Sequence, residues 1–280
     1  MNKGCNHANV DAPTCFEKFE QREGVVFVTN NSLKGKRALV TGASSGLGAR
    51  FAEVLAADGA EVLLAARRVD RLTSLVGSIT AGGGSAQIVE LDVTNPEGIA
   101  HAVDAAFKGG GVDILVNNAG ISIEKHVIDF TLEDYDRLLG TNQRGAFLTA
   151  QAVGRGMIAR EQGGKIVNIA SVLASSVLTG LSLYSMSKAA VIQMTRSMAL
   201  EWARFDVQVN AISPGYIETE INADHFNSEA GQKQIAKLLR KRVGHPPDLD
   251  GALRFLVSSG SNFLTGTNIT VDDGQTLRGL

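Results

Sequence analysis

Lys36-Arg-Ala-Leu-Val-Thr41-Gly-Ala-Ser-Ser-Gly-Leu-Gly48 is a short apolar run that breaks into a glycine-rich turn. After the turn, Leu47, Phe51, Val54 and Leu55 recur at helical spacing as far as Asp58, and Gly59 closes that helix. Strand, glycine turn and helix in that order form a site for a phosphate group. The glycines let the backbone come close, and the helix N-terminus offers free N–H groups and the positive end of its dipole. The spacing is Gly-x-x-x-Gly-x-Gly across Gly42, Gly46 and Gly48, with Ser44, Ser45 and Leu47 between, rather than Gly-x-Gly-x-x-Gly.

The same alternation continues downstream. Strands are expected at Glu61–Ala66, Ala86–Leu91, Ile114–Asn117, Lys165–Ala170, Val207–Ile212 and Asn268–Val271. Helices are expected over Val69–Ile79, from Asn95-Pro96, from the capping-box pattern Thr131-Leu-Glu-Asp134 past Asn142, and over Tyr184–Ala203. Most of the strands are continuous apolar runs, which suits burial on both faces. Right-handed crossovers then give an α/β fold with a single-domain, Rossmann-type, doubly wound parallel sheet of about seven strands. Residues 35–280 form this domain, and residues 1–34 an extension of irregular pattern. Within the extension, Val25-Val-Phe-Val28 could add an edge strand.

Composition narrows the function. The chain has 280 residues, 44% hydrophobic and 20% charged, with a net charge of −2, which gives no electrostatic footprint for nucleic acid. No apolar run reaches the ~18 residues of a membrane span, and no signal core follows the start, so a cytoplasmic protein is expected. The only cysteines, Cys5 and Cys15, lie in the extension, so thiol chemistry in the domain is excluded. His7, His101, His126, His225 and His245 are dispersed without ligand spacing, and no metal is expected.

The chemistry is sought in Tyr184-Ser-Met-Ser-Lys188. Tyrosine and lysine four apart share a helix face, and an ammonium beside a phenol favours the phenolate and draws its pKa down. Such a pair can move a proton to or from an alcohol or ketone. Ser171, just past the fifth strand, can donate a hydrogen bond to the same oxygen. It lacks the Gly-x-Ser-x-Gly elbow of a hydrolase nucleophile. At the end of the second strand, an acidic residue would bond a ribose 2′-OH and a base would take a 2′-phosphate. Here the strand ends Ala65-Ala66-Arg67-Arg68. Arg67 suits the phosphate, and Arg68 either adds charge or starts a solvated helix.

With these motifs assembled, the chain from Lys34 to Gly274 resembles the short-chain dehydrogenase/reductase family in its single-domain form. Asn117-Asn-Ala-Gly120 follows the fourth strand, Ser171 stands at the family spacing before Tyr184, and Pro214-Gly-Tyr-Ile-Glu-Thr219 follows the sixth strand. The resemblance implies that Tyr184 is the general acid and base, Lys188 lowers its pKa and binds the nicotinamide ribose, and Ser171 holds the substrate oxygen. It implies that Asn142 bends its helix and positions a water. It also places Asp92 and Val93 at the adenine, Asn118, Ala119 and Gly120 along the cofactor, and Pro214, Gly215, Ile217 and Thr219 by the nicotinamide.

Ala66 stands where NAD-preferring members carry Asp, so NADP(H) is favoured. Ser45, where NADP users often carry a base, keeps NAD(H) open. The implied activity is hydride transfer between NADP(H) and a ketone or secondary alcohol, in the manner of 3-oxoacyl-thioester reductases. Residues 172–183 and the loop 214–243 line the substrate cleft. A homotetramer or dimer is implied, built through the long helices and the C-terminal strand. Enoyl reductases use a wider Tyr-to-Lys spacing, and a non-catalytic nucleotide sensor would not need the intact tetrad. One departure stands out: Val271-Asp-Asp-Gly274 replaces the family's common Val-Asp-Gly-Gly.

Overall fold

In the computed structural model, which describes residues 32–220 and 222–277, Ala38 of the first strand pairs on one side with Val62 and on the other with Ile114. β1 (Arg37–Thr41) is therefore flanked by β2 (Glu61–Ala66) and β4 (Ile114–Asn117). Outward lie β3 (Ser85–Glu90) on one side and β5 (Gly164–Ile169), β6 (Val207–Pro214) and β7 (Asn268–Val271) on the other. All neighbours are parallel, in the order β3-β2-β1-β4-β5-β6-β7. Chain order reverses between β1 and β4, which opens a crevice at their carboxyl ends.

Side-chain alternation divides the core in two. Ala38, Val40, Val62 and Leu64 pack beneath α1 (Gly46–Ala57) and α9 (Asp250–Val257), with Phe51, Leu55 and Leu253 fully buried. Leu39, Leu63 and Leu115 face the other way. They meet Ile99 and Val103 of α3 (Pro96–Lys108), Val153 and Met157 of α5 (Ala146–Arg160), and Met198 of α6 (Ser182–Trp202). Asn95 caps α3 by accepting from Gly98 N. Thr131 and Asp134 close a capping box at α4 (Leu132–Leu139).

Several details depart from the sequence reading. β3 and β7, the two edge strands, are more exposed than the central strands and are not buried on both faces. The helix opened by Thr131 is interrupted by a π-helical turn, Gly140–Gly145, which contains Asn142. The region expected only as a loop holds α7 (Ala223–Asn227) and α8 (Glu229–Ile235), the latter capped by Ser228. α2 (Val69–Ala81) runs two residues beyond expectation. Leu33, assigned to the extension, is buried in the core and donates its N–H to Asp58 O at 2.9 Å. The expected strand Val25–Val28 and both cysteines lie outside the described residues. Among the described residues no helix is long and apolar enough to cross a membrane.

Candidate active site

α6 brings Tyr184 and Lys188 to the carboxyl end of the sheet. Leu183, Ser187, Lys188 and Val191 form its buried face, so the Lys188 stem is packed along its length. The ammonium donates to Ile169 O at 2.8 Å and lies 5.6 Å from the centre of the Tyr184 ring. Burial alone lowers the Lys188 pKa to about 8. Tyr184 is half-buried. Ser171, in extended backbone just beyond β5, turns its hydroxyl toward the phenol and also accepts from Leu173 N at 3.1 Å.

The expected fall in the Tyr184 pKa is not what the protein itself provides. Desolvation raises it above the ordinary phenol value, and the Ser171 hydroxyl only partly opposes this. The lysine that was to lower it is itself buried beside the ring and directed to a backbone carbonyl.

Asn142 is held from three sides. Its Oδ1 accepts from Ile121 N at 2.8 Å, and its Nδ2 donates to Ile121 O at 2.9 Å and to Ser187 Oγ at 3.1 Å. Ser187 in turn donates to Tyr184 O at 2.7 Å. The π turn is thus tied directly to the first turn of α6. Gly120 backs onto this junction: a Cβ there would lie 3.3 Å from Asn142 Oδ1 and 3.6 Å from Lys188 Nζ.

Across the crevice the glycine turn has the shape of an anion cradle. Gly42 has φ +68°, which a side chain disfavours. At Gly48 a Cβ would collide with the carbonyl oxygen of Gly42 and lie 2.6 Å from Asn118 Nδ2. α1 starts with no side-chain cap and no acidic residue in its first turn, which leaves its N-terminal N–H groups for a ligand. These features fit the pyrophosphate of a dinucleotide.

Arg68 reaches over the turn, donating to Ser44 Oγ at 3.2 and 2.9 Å and to Ser45 Oγ at 2.7 Å. It stands exposed at the N-cap of α2 and also ties that helix start to the turn. Arg67 is largely exposed and lies 3.8 Å from Asp92, whose Oδ1 accepts from Thr94 N and Oγ1. Val93 is buried beside Gly145. From the other rim, Thr219 packs on Gly46 and is fixed by Asn222 Oδ1, which accepts from Thr219 N at 2.7 Å. Ile217 is buried and bridges to Gly244, and Pro214 ends β6 with Gly215 directly behind it.

The structure therefore brings the sequence-derived residues to one crevice, and it adds supports that sequence reasoning passed over. Thr41 Oγ1 accepts from Asn118 N and Ala119 N at 2.9 and 3.1 Å, locking the β4 turn against the glycine turn. Asn117 Nδ2 bonds Ala146 O and Asn168 Oδ1, and Asn168 Nδ2 bonds Thr195 Oγ1. The available signal was polar residues inside otherwise apolar strands, Thr41 and Asn168, which must find partners when buried. Lys233 pairs with Glu229, and Arg240 and Arg242 both pair with Asp273, so these bases are already occupied. Trp202 packs on the buried Gly154 of α5.

A family model described as enoyl-(acyl carrier protein) reductase matches residues 42–276. The chain is 39% identical over 248 residues to gluconate 5-dehydrogenase from Gluconobacter oxydans, across 88% of this chain and 96% of that protein. It is 37% identical over 245 residues to the 3-oxoacyl-(acyl-carrier-protein) reductase FabG from Vibrio cholerae, across 87% and 98%. The crystal structure of a gluconate 5-dehydrogenase from Burkholderia cenocepacia, in complex with NADP and tartrate, superposes with a TM-score of 0.85. It shares 35% identity and covers 89% of this chain and 98% of that one. The chain belongs to the short-chain dehydrogenase/reductase family. It is an oxidoreductase of that family, acting at the CH–OH/C=O level.

Proposed function

We propose that the protein interconverts a secondary alcohol and a ketone with NADP(H), through Ser171, Tyr184, Lys188 and Asn142. The observation that carries this reading is the Lys188 ammonium, buried against Ile169 O one helical turn from the Tyr184 phenol, with Ser171 facing the same phenol. A bound nicotinamide dinucleotide supplies or accepts the hydride at its ring.

In this reading the chain's own residues do the rest. Ser171 Oγ holds the substrate oxygen. Tyr184 gives that oxygen a proton in reduction and takes it back in oxidation. Lys188, charged below its pKa of about 8, favours the phenolate as the proton leaves. The uncapped α1 start and Gly42, Ser44, Ser45, Gly46, Leu47 and Gly48 would hold the pyrophosphate. Asp92, Val93, Asn118, Ala119 and Gly120 would line the adenosine and ribose side, and Pro214, Gly215, Ile217 and Thr219 the nicotinamide side. Arg67 and Arg68 would read the 2′-phosphate, Arg68 from its position over Ser44 and Ser45.

The NADP-bound gluconate 5-dehydrogenase supports both the cofactor and a hydroxylated substrate. The cleft segment from Val172 to Leu183 carries no charge and is rich in hydroxyls. That absence of charge favours an uncharged reacting part of the substrate. A 3-oxoacyl thioester remains the second substrate class, since a relative named for that reaction is nearly as similar. The test is NADPH oxidation with 5-keto-D-gluconate and with acetoacetyl-coenzyme A, for the wild type and Tyr184→Phe. Turnover of a ketone that disappears in the variant supports the reading; equal turnover by both proteins refutes it.

The assembly is read as a homotetramer or dimer. Exposed Tyr135 and Phe147 border a groove of about 610 Å³ between α4 and α6, next to a second groove ending at Trp202. Phe255 and Phe263 are also exposed. Sedimentation velocity at micromolar concentration tests this, and a monomer refutes it.

A further inference from the structure

The turn that follows β7 grips the substrate loop at both ends. Asp272 fixes the turn: its Oδ1 accepts from Gly274 N at 2.9 Å, and its Oδ2 accepts from Thr276 N at 2.9 Å and Thr276 Oγ1 at 2.6 Å. At the root of the loop, the buried Gln275 accepts from Tyr216 N at 2.7 Å through Oε1. At its tail, Asp273 takes both guanidinium groups, Arg240 Nη1 on Oδ1 at 2.9 Å and Arg242 Nε on Oδ2 at 2.8 Å. Leu239, between the root and these arginines, packs against Gly274.

Asp273 is the departure noted in the sequence, standing where the family resemblance implies a glycine. Its φ is +52°, a left-handed backbone that suits glycine better than any side chain. The carboxylate is therefore kept at a position whose backbone disfavours it, and its contacts are two cations of the loop and nothing else among the described residues.

We propose that Asp273 is a positioning residue that holds the substrate loop against the turn after β7, by clamping Arg240 and Arg242 while Gln275 anchors Tyr216. This rests on the reading of residues 214–243 as the substrate loop of a carbonyl-reducing enzyme. The clamp does not touch the reacting atoms. It sets how often the loop opens, and with it how firmly substrate is retained.

Amide hydrogen exchange on the full-length protein without cofactor tests the clamp independently of any substrate. Asp273→Asn removes the charge, and Asp273→Gly removes both the charge and the backbone strain. Both should speed exchange in peptides covering 216–220 and 236–243 by roughly threefold to tenfold, with the sheet unchanged. Salt at about 0.5 M should have a similar effect on the wild type, because it screens exposed pairs. Asp273→Glu should recover part of the protection.

For whichever of 5-keto-D-gluconate and acetoacetyl-coenzyme A the wild type reduces with NADPH, KM should rise about as much in Asp273→Asn, while kcat holds or rises. Loop exchange equal to wild type in both the Asn and Gly variants overturns the clamp. Faster exchange that spreads over the whole sheet with a lower Tm also overturns it, because Asp273 is then only structural. Absence of turnover with either ketone bears on the proposed substrates, while the exchange data still decide the clamp.

Discussion

The ammonium of Lys188 lies 5.6 Å from the centre of the Tyr184 ring, and its hydrogen bond goes to Ile169 O and not to the phenol. The lysine therefore acts on the tyrosine through its field. Burial acts on both groups in the direction that disfavours charge, lowering the lysine and raising the tyrosine. At neutral pH the phenol is protonated, as an acid for reduction must be. Tyr135 and Tyr216 are the only other tyrosines, so subtracting the Tyr184→Phe spectrum isolates one phenol. In the cofactor-free protein its phenolate absorbance should emerge only above pH 10, the ordinary value from which it is raised. Emergence below pH 9 would show that the Lys188 field outweighs burial.

Lys188 should be a stability cost that function retains. Below pH 8 the lysine is charged in both folded and unfolded chains, so the full burial cost stands. Between about 8 and the ordinary 10.5 only the unfolded chain keeps the proton, and the cost shrinks as pH rises. Lys188→Met should therefore stabilise the protein at pH 7 by about 1–3 kcal/mol, allowing for the lost bond to Ile169. The gain should fade toward pH 10.5, and turnover should be lost. Urea unfolding at pH 7 and pH 10 measures this, and a variant less stable than wild type at pH 7 would contradict it.

Tyr184→Phe keeps the ring, and with it the packing of α6 against the site, but removes the acid. General acid–base catalysis is worth about 10²–10⁴ in rate, so kcat with NADPH should fall by that order while NADPH affinity stays within about twofold. A fall in kcat of less than tenfold would remove Tyr184 from the proton transfer.

Much of this site could be read from short motifs because the fold forces it. Gly42 and Gly48 are required by local backbone geometry, and Tyr184 and Lys188 share a face because a helix has 3.6 residues per turn. The sheet was legible for a similar reason: the apolar runs of β1, β2 and β4 are buried on both faces. What was not legible depends on partners far apart in sequence. Nothing in Tyr-Ser-Met-Ser-Lys says that Ser187 will join the backbone of Tyr184 to Asn142, which lies 45 positions before that serine. Arg68 could be placed at a strand end but not over Ser44 and Ser45, 24 and 23 positions earlier. α7 and α8 escaped because helices of 5 and 7 residues carry too little periodicity. The direction of the Tyr184 shift needed a measure of burial, which pattern does not give.

Two glycines make a contrast in which space alone decides the outcome. A Cβ on Gly48 meets the Gly42 carbonyl and Asn118 Nδ2, both pinned by the β4 turn, whereas among the described residues nothing beyond the neighbouring helix backbone lies within 4 Å of one on Gly77 in α2. Gly48→Ala should cost about 1–3 kcal/mol through overpacking and abolish NADPH binding. Gly77→Ala should stabilise by about 0.5–1 kcal/mol through helix propensity and leave binding alone. Thermal unfolding and NADPH fluorescence titration check both. A Gly48→Ala protein that binds NADPH normally would show that the turn is not the pyrophosphate cradle.

The two arginines after β2 divide the 2′-phosphate problem between them. Arg68 is already organised, with its guanidinium on Ser44 and Ser45, while Arg67 is exposed and, among the described residues, held only by a 3.8 Å pairing with Asp92. A phosphate arriving between them would meet one guanidinium fixed in place and one that must leave a weak surface partner. Each charge-assisted contact is worth about 1.5–3 kcal/mol, so Arg67→Ala and Arg68→Ala should each weaken NADPH by roughly tenfold to a hundredfold. NADH has no 2′-phosphate, and Arg67→Ala should leave its affinity within about twofold. Arg68→Ala should cost NADH a smaller amount as well, because the turn hydroxyls lose their anchor. Side-by-side fluorescence titrations of NADPH and NADH on the wild type and both variants measure the four ratios. Equal losses for the two cofactors in Arg67→Ala would mean that Arg67 does not read the phosphate. A wild type that prefers NADH would overturn the NADP(H) assignment itself.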